Sequence, residues 1–374
     1  MADIFDYLTW RGDLSFTQDP PNGVDALIFS GLAYIRFCRE GECFQEAHVS
    51  LKNAAEMFFS QADYEDRCRV QKDLELLHAA AATRRFGQTQ LCMYRDLLIP
   101  EQETQFAAMT FLLDDGSMFL SFRGTDNSLV GWKEDFNMTF QQTIPAQRLA
   151  LQYTREVALE HLRPMRLGGH SKGGNLAVFA AARSSPMTQQ KILEVFNHDG
   201  PGFTQYLMGD PGYVAMVPKI RTFVPQSSVI GMLLEHEEPY TVIRSKSVGL
   251  LQHDLYTWHV QGKEFLPVEE ITEGSQFVDV TIKTWFAEMT KAEREQLVDV
   301  MFALLGSGGA DNVYDLLHPK NIRTYIKTLS SDVNLRRVLS TEFTGLIEAA
   351  RKTKVKFDET RETELLLTEH TDEA

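Results

Sequence analysis

A serine framed by glycines marks the place in this chain where chemistry is most strongly indicated. Ser171 lies in the segment Gly169-His170-Ser171-Lys172-Gly173-Gly174, which contains the pattern Gly-x-Ser-x-Gly. That pattern presents a serine hydroxyl on a strained turn between a strand and a helix, where it can attack an acyl carbon. A side chain at either glycine would crowd the turn and keep substrate away from the serine oxygen. An ordinary glycine-rich turn is the alternative interpretation.

A serine hydroxyl is a poor nucleophile near neutral pH and needs a base, usually a histidine oriented by a carboxylate. In folds that carry the serine on such a turn, the acid and then the histidine follow it in the chain. His253 lies in a loop after the last predicted strand, where a base is expected, although a structural histidine is the alternative. His198 follows the serine too closely, and His236 lies in a charged run that predicts a solvated surface. His259 is a further rival.

Asp199 is the leading candidate for the acid. It follows a predicted strand directly and precedes the turn residues Gly200, Pro201 and Gly202, a place where loops present functional groups. The alternative is an aspartate that caps the turn through its own backbone. Asp254 and Glu235 are weaker candidates for the same role.

Two backbone N–H groups are also needed to bind the oxyanion that forms during attack. The first is expected from Lys172, directly after the serine. The second is expected from Thr125, in the run Phe122-Arg123-Gly124-Thr125-Asp126, and its hydroxyl could add a donor. We do not expect the Lys172 side chain to act as a base, because the turn directs neighbouring side chains away from the site.

The elements around these residues predict an α/β architecture. A short strand over 165–167 precedes Ser171, and a helix rich in small residues over 175–182 follows it. Elsewhere in the middle of the chain, strands alternate with helices, which predicts a parallel or mixed sheet covered on both faces. The predicted organisation has four parts. A helical N-terminal segment covers residues 1–60, and an α/β core covers 61–268. A helical C-terminal extension covers 269–357, and an acidic, solvated tail covers 358–374.

Composition limits the classes of partner. The formal net charge is −15 over 374 residues, which argues against nucleic acid or an anionic membrane as the main partner because both carry the same sign. No signal peptide and no bilayer-crossing stretch is expected, so a cytoplasmic location is predicted. The four cysteines lack the paired spacing of a zinc site and are predicted to be reduced thiols. We expect no cofactor and no metal.

Four apolar side chains follow the proposed oxyanion loop: Trp132, Phe136, Met138 and Phe140. They could form a lid or an acyl pocket. Core packing is the preferred interpretation, because aromatic side chains are usually buried.

The motifs together resemble a known family. Phe122-Arg123-Gly124-Thr125, then Trp132 with Asp135, and later the segment 169–174, resemble the class 3, or fungal-type, lipases of the α/β-hydrolase fold. More narrowly, the segments 6–13, 126–136, 199–203 and 225–234 resemble a bacterial family of lipase-like proteins of unknown function. This resemblance implies Ser171 as nucleophile, His253 as base, and Thr125 and Lys172 as oxyanion donors.

One expected residue is missing from this resemblance. Class 3 lipases place the acid after the strand that here lies in the segment 221–228, and the corresponding position is at or near Ser227. Either Asp199 supplies the acid, or the site works as a dyad, or it is catalytically degraded. The sequence therefore predicts an α/β-hydrolase fold and a serine hydrolase for carboxylic esters, with a lipid, acyl ester or thioester as small-molecule substrate. A non-catalytic binding protein of the same fold is the alternative, and a peptidase or acyltransferase is a third. The sequence does not determine the oligomeric state.

Overall fold

The computed structural model of the chain describes residues 2–38, 41–44, 48–310 and 313–371. The chain divides into two compact units, Met1–Ile271 and Thr272–Ala374. The strands are β1 (Gly41–Cys43), β2 (Val49–Ser50), β3 (Gln90–Ile99), β4 (Thr104–Leu112), β5 (Met118–Phe122), β6 (Met165–His170), β7 (Ile192–His198), β8 (Ile220–Pro225), β9 (Tyr240–Ile243), β10 (Val260–Gln261) and β11 (Glu264–Phe265).

The α-helices of the first unit surround these strands, and those of the second unit follow them. The first set is α1 (Ile4–Arg11), α2 (Gly23–Leu32), α3 (Leu51–Phe59), α4 (Gln71–Ala82), α5 (Arg84–Gly87), α6 (Leu129–Asn137), α7 (Pro145–Glu160), α8 (Lys172–Arg183), α9 (Pro186–Lys191) and α10 (Pro211–Met216). The second set is α11 (Glu273–Glu288), α12 (Lys291–Gly306), α13 (Pro319–Ser331) and α14 (Val333–Thr371).

A nine-stranded sheet organises the first unit. Its strand order is β1-β3-β4-β5-β6-β7-β8-β9, and β2 also pairs with β3. The strands from β5 to β9 pair in parallel, whereas β1 to β5 pair antiparallel and extend the sheet on one side. Parallel strands need crossover connections. Helices that include α7, α8 and α10 supply them from β5 to β8, whereas the connection from β8 to β9 contains a short 3-10 turn, Ile230–Met232. The predicted α/β-hydrolase type of sheet is confirmed.

The two faces of the sheet carry separate hydrophobic cores. Phe119 and Leu120 are neighbours in β5, and their side chains point to opposite faces. Phe119 packs 4.9 Å from the ring of Phe29 in α2 within one core. Leu120 belongs to the other core, which includes Tyr153 of α7 and Leu176 of α8. Each fully buried side chain of this size stabilises the fold by about 1.5–3 kcal/mol, so helices are held on both faces.

The N-terminal segment differs from its prediction in two ways. The short strands β1 and β2 lie within the segment predicted to be helical, because both add to the edge of the sheet beside β3. Cys38 and Cys43 are joined in a disulfide, which corrects the prediction that all four cysteines are reduced. Cys68 and Cys92 are free thiols.

The second unit is helical over its described residues. Thr290 and Glu293 form a capping box at the start of α12, and the helix ends at Gly306. The last helix, α14, runs for 39 residues and continues to Thr371 through the segment predicted as an acidic tail. No helix among the described residues combines the length and the apolar character that crossing a membrane requires.

Candidate active site

Ser171 lies on a strained turn between β6 and α8. Its backbone angles are φ 59° and ψ −135°, a conformation that costs a residue with a side chain about 1–3 kcal/mol. A Cβ atom added at Gly169 would lie 2.2 Å from the carbonyl carbon of Gly173, and one at Gly173 would lie 2.1 Å from the carbonyl oxygen of Phe122. Only glycine fits at either position, which is the steric reason for the sequence pattern. Ser171 itself is half-buried.

Asp199 and His253 form a direct hydrogen bond. Nδ1 of His253 lies 2.6 Å from Oδ2 of Asp199, with the aspartate side chain fully buried and the histidine side chain 24 % exposed. A carboxylate accepts the Nδ1 proton and fixes the tautomer, which leaves Nε2 as the basic nitrogen. No described residue is hydrogen-bonded to Nε2 or to the Ser171 hydroxyl. In the absence of substrate, catalytic hydrogen bonds are often longer or unformed.

The sheet explains why these residues meet. β6 and β7 pair in parallel, and the last register pair joins His170 with His198. Ser171 and Asp199 therefore follow adjacent strands at the same edge. The Ser171 N–H donates to the His198 carbonyl at 2.9 Å, which ties the two loops together. His253 ends a short 3-10 turn, Gly249–His253, that follows β9. The carboxyl edge of the parallel strands is where open α/β sheets bind ligands.

His170 connects the serine turn to the histidine loop. Its Nε2 lies 2.7 Å from the carbonyl oxygen of His253, and the two rings have centroids 4.6 Å apart. Its Nδ1 lies 3.0 Å from the hydroxyl of Tyr34. Burial lowers the pKa of His170 well below its usual value, so the ring is neutral, donates from Nε2 and accepts at Nδ1. Neither His170 nor Tyr34 was predicted from the sequence, because nothing in the serine pattern specifies the residue before the serine.

Ser228 lies close to the position where class 3 lipases are expected to carry their acid. It is buried in the loop after β8, and its hydroxyl donates to Oδ1 of Asp199 at 2.5 Å. The N–H of Gly231 donates in turn to the Ser228 oxygen at 3.1 Å. The loop after β8 therefore contributes a hydrogen-bond donor, and the loop after β7 contributes the carboxylate. Burying a carboxylate is unfavourable unless its oxygens accept hydrogen bonds, and Ser228 supplies one of these bonds.

The predicted oxyanion loop lies beside the serine. A Cβ atom added at Gly124 would lie 3.1 Å from the Cβ of Ser171. The backbone N–H groups of Thr125 and Lys172 have no acceptor among the described residues. The Thr125 hydroxyl, however, donates to Oδ2 of Asp135 at 2.5 Å. This bond corrects the expectation that the hydroxyl adds a donor for the oxyanion. Burial raises the pKa of Asp135 to about 6.

The Lys172 side chain points away from the serine, as predicted. Its ammonium group is fully buried and donates to the carbonyl and side-chain oxygens of Gln105 at 3.0 and 2.8 Å. It also donates to Oε2 of Glu134 at 3.0 Å. Glu134 is equally buried and accepts from the backbone N–H groups of Gln105 and Ala146. The pair fixes the start of α8 against β4 and α6, and with it the Lys172 N–H.

Replacing Lys172 by methionine is expected to destabilise the protein by about 3–5 kcal/mol, because it leaves the buried Glu134 carboxylate without its cation. The measurement is the free energy of unfolding in urea. Lys246→Met is the control, since the Lys246 side chain is 45 % exposed where it pairs with Asp3 and such pairs contribute about 0–1 kcal/mol. Equal losses in the two variants would contradict the structural role of the buried pair.

The rival histidines occupy other environments. His198 is buried, its Nε2 lies 3.0 Å from the Gly23 carbonyl, and burial lowers its pKa to about 4. The His236 side chain is only 7 % exposed, and it bonds the buried Glu238 at 3.1 Å. This corrects the prediction of a solvated surface for that charged run. Nδ1 of His259 lies 3.3 Å from the Ala2 carbonyl.

The apolar residues after the oxyanion loop divide into two pairs. Met138 and Phe140 are buried as predicted, whereas Trp132 and Phe136 are 42 % and 38 % exposed. Core packing is therefore the wrong interpretation for the second pair. These two residues are four positions apart in α6, so they share one face of that helix.

A serine on a strained strand-to-helix turn, with an aspartate and a histidine bonded at the same edge of a parallel sheet, defines an α/β-hydrolase fold. The chain belongs to the Mbeg1-like family, whose sequence profile matches residues 80–303. No curated protein sequence matches it.

Solved structures similar to this chain include lipases at low identity. M37 lipase has 11 % identity and a TM-score of 0.35, and the match covers 55 % of this chain and 67 % of that one. A mutant form of MDLA from Penicillium cyclopium has 13 % identity and a TM-score of 0.35, with coverages of 67 % and 86 %. The Rhizomucor miehei lipase propeptide complex has 12 % identity and a TM-score of 0.37, with coverages of 61 % and 78 %. The strand order and the serine turn of the chain itself define its fold.

Proposed function

We propose that this protein is a serine hydrolase that cleaves carboxylic ester bonds. The observation that carries the proposal is the 2.6 Å bond between His253 and Asp199 at the sheet edge that also presents Ser171. Because Asp199 already supplies a carboxylate, the site does not depend on an acid near Ser227. The missing acid therefore no longer favours the non-catalytic alternative, whose other motivation is the helical C-terminal extension.

The reaction follows from the roles of the chain's own groups. The Ser171 oxygen attacks the acyl carbon while His253 Nε2 takes its proton, and the imidazolium that forms is stabilised by Asp199. The Thr125 and Lys172 N–H groups hold the oxyanion. Collapse of the tetrahedral intermediate expels the alcohol, which receives the proton from His253. Water, deprotonated by His253, then attacks the acyl carbon; the bond from that carbon to the Ser171 oxygen breaks, the carboxylic acid leaves, and His253 returns the proton to Ser171.

Exposed apolar side chains support an acyl or lipid substrate. Trp132 and Phe136 follow the oxyanion loop, and Val248, Leu250 and Leu251, each more than 60 % exposed, lie just before His253. An apolar acyl chain gains about 0.8 kcal/mol for each methylene that it buries. The resemblance of the segments 122–125 and 169–174 to class 3 lipases supports the same substrate class. Lipid esters, simple acyl esters and acyl thioesters all share this chemistry.

Labelling with a fluorophosphonate probe tests the proposal, because such probes phosphonylate an activated serine. We expect one label per chain on Ser171, located by peptide mass spectrometry, together with hydrolysis of short acyl nitrophenyl esters above the background rate. Heat-unfolded protein is the control for non-specific labelling. A folded chain that neither takes the label nor hydrolyses the esters would refute the proposed function.

Ser228 has a positioning role in this proposal, and Ser228→Ala is expected to lower kcat about tenfold with little change in KM. A hydrogen bond to a charged group contributes about 1.5–3 kcal/mol, and the lost donor loosens the Asp199 carboxylate that orients His253. Ser228→Thr, which keeps the hydroxyl, is expected to recover most of the rate. The control is Ser30→Ala, which removes an equally buried hydroxyl bonded to Ala26 in its own helix. Equal kcat values for the alanine variants at positions 228 and 30 would exclude the positioning role.

A further inference from the structure

Three soft metal-ligating side chains meet on the antiparallel side of the sheet. His48 lies just before β2, Cys92 lies in β3, and His161 directly follows α7. Their ligand atoms all lie within 4.8 Å of one another. Cys92 Sγ and His161 Nε2 are 3.9 Å apart, and the rings of His48 and His161 have centroids 5.9 Å apart. In the part of the chain that the structure describes, this is the one such group of three.

We propose that His48, Cys92 and His161 form a binding site for Zn²⁺, with a fourth position open to water. Zinc prefers cysteine and histidine ligands in a tetrahedron, at about 2.3 Å to sulfur and 2.0–2.1 Å to nitrogen. Those bond lengths place neighbouring sulfur and nitrogen ligands about 3.6 Å apart, close to the observed distance between Cys92 and His161. Thiolate and imidazole do not suit Mg²⁺ or Ca²⁺, which require oxygen ligands.

The surroundings favour a cation that enters from solvent on one side. Cys92 is fully buried in the core, whereas His48 is exposed and His161 is half-buried. His161 is also the C-cap of α7, and the C-terminal end of a helix carries partial negative charge that stabilises a cation. A bound ion would therefore join the edge strands β2 and β3 to the end of α7.

This site is separate from the catalytic one. Two strands, β4 and β5, separate β3 from β6, the strand that directly precedes Ser171. Three strand spacings amount to about 14 Å. The ligands also come from distant parts of the sequence, since Cys92 and His161 are 69 residues apart. The prediction that there is no metal site rested on paired cysteine spacing along the chain, and such spacing cannot detect ligands that only the fold brings together.

Zinc titration of the chelator-stripped full chain tests the proposal, with Zn²⁺ alone as the ligand and a chromophoric chelator as competitor. We expect one Zn²⁺ per chain, and no competition from Mg²⁺ or Ca²⁺. Replacing Zn²⁺ by Co²⁺ is expected to give the thiolate-to-cobalt charge-transfer absorption of a tetrahedral site with one cysteine ligand. Absence of stoichiometric Zn²⁺ binding by the folded wild-type protein would overturn the proposal.

Variants identify the ligands. Cys92→Ser, His161→Gln and His48→Ala are each expected to raise the Kd for Zn²⁺ at least about 100-fold, since even the loss of a group that only orients a ligand costs about 10–100-fold. Cys68→Ser and His78→Ala are the controls, because they remove a free thiol and an exposed imidazole outside the cluster. If the buried Cys92 variant does not fold, the exposed His48 variant decides. Zn²⁺ affinity that is unchanged in His48→Ala and His161→Gln would show that the ion binds elsewhere.

Discussion

Ser171→Ala is expected to reduce kcat/KM for a short acyl nitrophenyl ester by at least about 10⁴-fold, because the variant has no oxygen to form the acyl-enzyme. Removing the nucleophile from a catalytic serine site leaves only the rate supplied by the oxyanion donors and by binding. The fold should be retained, and stability is expected to stay within about 1 kcal/mol of the wild type, because alanine at this turn has the same backbone strain as serine. The measurement is the initial rate over a range of ester concentrations, with urea unfolding as the test of folding.

The matched control for this variant is Ser184→Ala. Ser184 caps the other end of α8, where its hydroxyl donates to the Ala180 carbonyl at 2.7 Å. We expect this variant to keep the wild-type rate and the fluorophosphonate label, both of which Ser171→Ala loses. If Ser171→Ala hydrolyses the ester as fast as the wild type, the nucleophile is another residue and the proposed mechanism fails.

Asp199→Asn is expected to lower kcat by about 10⁴-fold while the protein stays folded. The asparagine side chain keeps the shape of aspartate but has no charge to stabilise the imidazolium of His253. It also favours the wrong histidine tautomer, with the proton on Nε2 where the serine proton must be received. The Ser228 hydroxyl, which now donates to Asp199 Oδ1, would meet either an amide oxygen or an amide nitrogen. The measurement is kcat for the same ester in the pH range where the wild type is fully active.

Asp254→Asn is the control that separates the carboxylate next to His253 in sequence from the one bonded to it in space. Asp254 is adjacent to His253 in the chain, but its side chain accepts the backbone N–H of Tyr256 at 3.2 Å. We therefore expect only a small effect on kcat from Asp254→Asn. A large loss with Asp254→Asn and full activity with Asp199→Asn would reverse the assignment of the acid.

Much of the candidate site can be predicted from sequence because each of its main residues ends or follows a recognisable element. Ser171 lies in the Gly-x-Ser-x-Gly pattern, whose glycines are required because no larger residue fits the turn. Asp199 directly follows a predicted strand and is itself followed by turn residues. His253 is indicated by chain order, after the last predicted strand. The structure brings Asp199 and His253 together as expected from those positions. Their catalytic roles stay predictions until the variants are measured.

The supporting residues could not be predicted because they depend on contacts between segments that are distant in sequence. His170 contacts His253 across 83 residues, and Ser228 contacts Asp199 across 29.

The exposure of Trp132 and Phe136 was missed for a related reason. Composition gives an average tendency of aromatic residues to be buried, and it carries no information about which face of α6 packs on the sheet. The buried pair of His236 and Glu238 is the opposite case. Charged residues can be buried when residues of opposite charge pair with each other.

The contact between Tyr34 and His170 has a consequence for how this protein can be divided or recombined. Tyr34 follows α2 and lies within residues 1–60. Its hydroxyl is hydrogen-bonded to the ring of His170, which in turn is hydrogen-bonded to the backbone of His253. Residues 1–60 are therefore not an N-terminal segment that could be exchanged freely for another one, in evolution or by engineering. A shortened chain that begins at residue 61 would keep Ser171, Asp199 and His253, yet it would lack one anchor of the loop that presents the histidine. The N-terminal helices are therefore part of the catalytic unit and not a separable module.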